Sequence, residues 1–168
     1  MSDLTGVNLI VPRGKSDLAP LFLDMREVYR IENRIREIRD ANPALLPDLI
    51  ADFNIGYILI GKMISQVQLE LSETQIALKE AKSIVILDKA NQILADKGHQ
   101  KSSADLREHV LMLDPEVKRL TRVMGVCEAY LELLNNKAKA MEMAYHGTKK
   151  VSEVQARIPD GNTMGKRY

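Results

Sequence analysis

The chain has 168 residues, a length suited to one domain, and its 24 basic and 23 acidic side chains leave a net charge of +1 that neither requires nor excludes a polyanionic partner. Aromatic residues make up 4% and Trp is absent, so a core must come from Leu, Ile, Val, Ala and Met; the lone Cys127 excludes an intrachain disulfide and reads as a small buried apolar residue. No basic segment followed by an apolar run opens the sequence, and no window of about 18 uncharged apolar residues occurs, so neither a leader nor a membrane-spanning helix is expected and the location expected is cytoplasmic.

Residues 1–16 read as an irregular arm. Gly6, Pro12 and Gly14 interrupt any pattern, although Val7 to Val11 could form a short extended piece. An Arg-rich helix is expected over 17–41, with Asp17 as N-cap and Pro20 in its opening turn. Leu21, Val28, Ile31, Ile35 and Ile38 form its apolar stripe. Arg30, Arg34, Arg36 and Arg39 alternate with Glu27, Glu32 and Glu37 at spacings that permit pairing along the polar face. Asn42-Pro43 ends this helix, because the residue before proline avoids the α region.

A long helix is expected over 47–97, started by Pro47 and stopped at Lys97-Gly98. Gly56 and Gly61 lie within it, and each would allow a neighbouring backbone to come close. A short helix follows over 102–112, capped by Ser102 or Ser103. Asp114-Pro115 then places an N-cap before a proline at the first helical position, with Glu116 favourable in the first turn. This last helix is expected over 115–157 and ends at Pro159-Asp160-Gly161, leaving a basic tail at 158–168. With no low-complexity linker, one domain spanning 1–168 is the economical organisation.

The two long helices carry heptad seams. In the first, apolar residues alternate at three and four through Ile50, Phe53, Tyr57, Ile60, Ile64, Val67, Leu71, Leu78, Ala81 and Val85, interrupted only at Thr74. The second runs Val117, Leu120, Met124, Cys127, Leu131, Leu134, Ala138, Met141 and Tyr145. Rods of roughly 60–75 Å, at 1.5 Å per residue, cannot bury such seams alone. The fold class is therefore all-α: a long antiparallel helical hairpin or coiled-coil-like bundle with shorter accessory helices. The seam residues expected to mediate core packing or self-association are Ile50, Tyr57, Ile64, Leu71, Leu78, Leu120, Cys127, Leu131, Leu134 and Met141. Met124, Met141 and Met143 read as core or partial core.

Charge is polarised along the chain. Six acids and two bases lie between Asp40 and Glu80, whereas seven bases and three acids lie from Asn135 to Tyr168. Lys79, Lys82 and Lys89 follow one another beside the first seam, and Lys97, Lys101 and Arg107 come just beyond the turn. Such a cluster at a helix end can track a phosphate backbone, or it can simply solubilise a coiled-coil flank. Lys118, Arg119, Arg122 and Lys150 fall on the outer face of the last helix, solvated unless a partner covers them.

Gly14-Lys15-Ser16 matches the end of a phosphate-binding loop, but the required first glycine would fall at Leu9, and Ile84 to Asp88 sits inside a helical register rather than on a strand. His99, His109 and His146 are scattered without metal-ligand spacing. No catalytic residue, metal ligand or cofactor is assigned, and the chain is expected not to be an enzyme.

The second half combines a Lys-rich long helix, Lys97-Gly98, Lys101-Ser102-Ser103, Arg107, Val110, Asp114, and a terminal helix with Tyr130, Leu131 and Lys139. Over roughly 79–151 it resembles the phage recombination mediator proteins of the UvsY type. That resemblance implies a small helical homo-oligomer, ring-forming in the family, that binds single-stranded DNA in the host cytoplasm. It also implies displacement of single-strand-binding protein and loading of a RecA-type recombinase without nucleotide consumption. The family's DNA-binding basic residue near the end of the long helix corresponds to Lys89, with Lys82 as neighbour; Lys79, Lys97, Lys101 and Arg107 join them on electrostatic grounds. Few aromatic stacking platforms are present at the basic end, where Tyr145 and Tyr168 are the candidates, so backbone electrostatics should dominate. The alternative is a helical structural or adaptor protein, such as a virion or assembly component, held by coiled-coil contacts and without DNA binding.

Overall fold

The computed structural model describes residues 8–15, 17–40, 42–90 and 104–157. The chain is mostly helical, as the heptad pattern predicts. Two short strands, β1 (Asn8–Val11) and β2 (Leu21–Asp24), pair into a two-stranded sheet. Helix α1 (Arg26–Asn33) continues as a 3-10 segment, Arg34–Asp40, and a second 3-10 turn covers Pro43–Leu45. Helix α2 (Leu46–Val85) ends in a π-helical turn, Ile86–Ala90. Helices α3 (Ala104–Leu113) and α4 (Pro115–Arg157) complete the fold. The expected stop at Lys97-Gly98, the residues around Ser102 and the tail from 158 lie outside the described residues.

The Arg-rich helix starts later than expected. Leu21 to Asp24 alternate at period two, with Leu23 buried and Phe22 60% exposed, which is a strand pattern. Pro20 precedes that strand instead of opening a helix. Asp24, not Asp17, takes the first free amide of α1, accepting from the Arg26 N–H at 3.0 Å. The start of α4 matches its sequence signature: Asp114 Oδ1 accepts from the Glu116 and Val117 amides at 3.0 and 3.1 Å, with Pro115 at the first helical position.

The chain divides into two compact units, and α2 and α4 each contribute a part to both. The first unit holds α1, the N-terminal part of α2 to Met63 and α4 from Leu134. Its core includes Met25, Val28, Ile31, Leu46, Leu49, Phe53, Ile60, Leu134 and Met141. A Cβ on Gly56 would lie 3.1 Å from Met141 Sδ and 3.2 Å from Ile31 Cγ2, so this glycine lets α1 and α4 close onto α2. At Gly61, by contrast, the corresponding space is open. The arginines of α1 pair within the helix, Arg30 with Glu27 at 2.7 Å, and also with α2, where Asp52 takes both Arg30 and Arg34. The guanidinium of Arg34 also meets Glu37 at 3.1 Å. Lys137 of α4 bonds Glu32 at 2.6 Å and lies 4.5 Å from the centroid of the Tyr29 ring.

The second unit holds Leu9–Leu23, α2 from Ile64, α3 and α4 to Leu133. Leu78, Val85, Val110, Val117 and Leu120 form one buried cluster there, with Ala77, Ala81, Leu111 and Met124 packed against it. Its helices run antiparallel, since residues late in α2 meet residues early in α4. The same sense holds within the first unit, where Gly56 faces Met141.

One row of the α2 seam, that of Phe53, Ile60 and Val67, is buried as expected, and the other is shifted by one residue. Leu46, Phe53, Ile60, Val67 and Thr74 supply one row of buried residues, and Leu49, Gly56 and Glu70 another. Ile50, Ile64 and Leu71 are only half-buried and Tyr57 is 47% exposed, so those four flank the seam. Sequence reading favours the larger apolar neighbour at each step, whereas close packing selects Gly56, and an ion pair brings Glu70 inside. Leu78, Leu120, Cys127, Leu134 and Met141 are buried as expected, and Leu131 is half-buried. Met143 is 72% exposed and leaves the core list.

A helix over Pro43–Asp88 is long and apolar enough to cross a bilayer by length and composition alone, with 28% of its most apolar window buried. A core helix meets the same criterion, and this one buries Phe53, Ile60 and Val67 against protein.

Candidate nucleic-acid interface

Within the second unit, α2, α3 and the start of α4 enclose a cleft of about 520 Å³. Its apolar floor is Leu111, Met112 and Val117. Lys82 of α2 and Lys118, Thr121 and Arg122 of α4 form its polar rim, opposed by one acid, Glu108 of α3. Lys82 stands in the last turn of α2 and is exposed. Lys118 and Arg122 lie one turn apart and so share a face of α4. Among the described residues these three cations have no ion-pair partner.

A second hollow of about 580 Å³ shares Lys118 and Arg122 and adds Pro12, Arg13, Pro115, Arg119, Val123 and Val126. Two of its cations are already engaged. Arg13 donates to Glu70 Oε2 at 2.5 Å. Arg119 pairs with Glu116 at 2.7 Å and donates to the carbonyl oxygens of Arg13 and Gly14 at 3.1 and 2.5 Å. Glu116 neutralises Arg119, and that hydrogen bond holds the exposed Glu116 carboxyl below its ordinary range.

The loop between the strands is thereby fixed to the helices. Glu70 is 1% exposed, and its other oxygen accepts the Gly14 N–H at 2.6 Å. Gly14 itself rests on Thr74, where a Cβ would fall 2.6 Å from Thr74 Oγ1 and 3.0 Å from Thr74 Cα. Among the described residues the Thr74 hydroxyl, which is buried, has no hydrogen-bond partner. The residue that breaks the heptad is thus the landing place of the loop. In Gly14-Lys15-Ser16 the Gly14 amide is occupied by a carboxylate, which is incompatible with cradling phosphate through that same N–H.

Of the expected DNA-binding residues, Lys79 and Lys82 are exposed and only Lys82 lines the cleft. The backbone of Lys89 belongs to the π-turn and that of Arg107 to α3, while their side chains, like Lys97 and Lys101 entirely, lie outside the described residues. Lys118 and Arg122, read from sequence as an outward solvated face, are the residues brought opposite Lys82. The available signal was the antiparallel sense: pairing Leu78 with Leu120 across the hairpin brings Lys82 level with Glu116, within one turn of Lys118.

Cys127 is buried, and burial together with the nearby Glu70 and Glu128 carboxylates pushes its thiol up to about 11. Among the described residues no three His, Cys, Asp or Glu side chains converge as a metal site would require. Compared with protein families, curated proteins and solved structures, the chain matches none.

Proposed function

We propose that this protein is a non-enzymatic recombination mediator: a homo-oligomer that binds single-stranded DNA and helps a RecA-type recombinase onto strands coated with single-strand-binding protein. The observation that carries the DNA-binding part is the convergence of Lys82, Lys118 and Arg122, without ion-pair partners among the described residues, on one cleft with an apolar floor. Cations spaced along such a rim suit successive phosphates, and the apolar floor suits the face of a base. The mediator role itself comes from the likeness to UvsY-type proteins stated above. Self-association draws support from Leu69 and Ile76, 61% and 58% exposed and seven residues apart on one face of α2 in the second unit.

The test is fluorescence anisotropy of a labelled oligonucleotide across a salt series, for the native protein and for Lys82→Ala/Lys118→Ala/Arg122→Ala. Loss of three phosphate contacts should make the dependence of log K on log salt shallower by about 2, at roughly 0.7 per contact for single strands. Native protein that self-associates yet binds no oligonucleotide at low salt would instead favour the structural or adaptor role, for which the same exposed Leu69 and Ile76 speak.

A further inference from the structure

A separate cavity in the first unit has a different chemistry. It holds about 240 Å³ and is lined by Phe53, Asn54 and Tyr57 of α2 and by Glu142, Tyr145 and His146 of α4. Three of the six lining residues are Phe or Tyr, in a chain with 4% Phe, Trp and Tyr, and His146 adds a fourth ring. Phe53 is fully buried and forms the floor, whereas Tyr57 is 47% exposed although it occupies a heptad position in the sequence. Tyr145 and His146 stand edge to face, with centroids 5.3 Å apart and planes at 78°. Glu142, one helical turn before His146, is exposed and, among the described residues, has no ion-pair partner.

We infer that this pocket is a docking site for an arginine side chain of a partner protein. Aromatic faces attract a cation through their quadrupole. A planar guanidinium stacks on such rings and can bond a carboxylate through two parallel N–H groups, which a lysine ammonium cannot do. Tyr57 and Tyr145 supply the rings, Glu142 the carboxylate and the Asn54 amide oxygen a further acceptor. The cavity is the size of one side chain, not of a folded element. Glu142 opposes a phosphate, so the pocket is distinct in kind from the basic cleft, and the inference does not depend on the DNA-binding proposal.

The test uses the full chain, with the ring resonances of Tyr57, Tyr145 and His146 followed by NMR. Three probes are titrated: the capped peptide Gly-Arg-Gly, the same peptide with citrulline in place of arginine, and thymidine. The arginine peptide should shift these resonances saturably, and citrulline, which keeps the shape but lacks the charge, should bind about fivefold or more weakly. Glu142→Gln and Tyr57→Ala should each weaken the arginine peptide, while unchanged resonances elsewhere in the first unit report an intact fold. Equal binding of citrulline, arginine binding unaffected by Glu142→Gln, or occupation by thymidine in preference to the peptide would each overturn the assignment.

Discussion

The bond between Arg13 and Glu70 permits a prediction about asymmetry. Glu70 is buried and Arg13 is 28% exposed, so the two partners differ in what their loss leaves behind. In Arg13→Met the carboxylate stays inside with only the Gly14 N–H to hold it, and an uncompensated buried charge costs about 3–5 kcal/mol. Because the Gly14 bond at 2.6 Å remains, the lower figure of about 3 kcal/mol applies. In Glu70→Gln the amide oxygen still accepts from Gly14, and Arg13 can turn towards water. That variant forfeits one charge-assisted hydrogen bond, about 1.5–3 kcal/mol, and exposure of the guanidinium brings the figure to about 1.5. Arg13→Met/Glu70→Gln removes the charge while keeping an acceptor for the Gly14 N–H and should recover much of the loss in Arg13→Met. Urea denaturation followed by far-UV circular dichroism measures all three; with m near 2 kcal/mol per molar, Arg13→Met should lower the midpoint by roughly 1.5 M. If Arg13→Met proved no worse than Glu70→Gln, or the double variant no better than Arg13→Met, then Glu70 is not held as a buried anion and the reasoning fails.

Gly14→Ala drives a methyl to 2.6 Å from Thr74 Oγ1 and 3.0 Å from its Cα, so it should cost about 1–3 kcal/mol by overpacking, a fall of roughly 2–12 °C in Tm for a chain of this length. Adding Thr74→Ala should return part of that, because the clash with the hydroxyl goes while the crowding against the Thr74 backbone stays; no recovery would mean that Gly14 matters for another reason. Burial opposes ionisation of Asp52, but the hydrogen bonds from Arg34 and Arg30 outweigh it and hold the carboxyl below its ordinary value. A carboxylate lowered on folding stabilises fully above its unfolded pKa and loses that contribution as pH falls through the folded one, so stability should decline below about pH 4. Asp52→Asn should be less stable than native at neutral pH, by about 1 kcal/mol given the half-exposed Arg30, and the difference should narrow as pH falls through the lowered folded-state pKa. A constant gap between the two across an acid series of urea melts would rule out the Asp52 contribution.

Much of the architecture was legible because long helices announce themselves through period. The Asp114-Pro115 start and the span of α4 followed from local capping chemistry, and the buried run from Leu120 to Met141 followed from the heptad. The face of α2 was harder. Pattern reading ranks Tyr57 over Gly56 and Leu71 over Glu70, yet burial is decided by what arrives from elsewhere: Ile31 and Met141 at Gly56, Arg13 and Gly14 at Glu70. Neither can be read from residues three or four apart. The strand at Leu21–Asp24 was missed because its alternation spans only four residues and abuts a helical stripe. For the cleft, Lys82 came from charge spacing on its own helix, whereas Lys118 and Arg122 acquire their meaning only when two distant stretches of chain are laid side by side.

A seam made only of aliphatic side chains would fit nearly as well after one rod slid past its neighbour by two turns. Within the second unit, Glu70 and Thr74 forbid that slippage. Only one alignment delivers the Arg13-Gly14 loop to the anion and, through the carbonyl oxygens that Arg119 grips, to α4 as well. The N-terminal segment therefore acts as an indexing pin for the register in which Lys82 and Lys118 line one cleft.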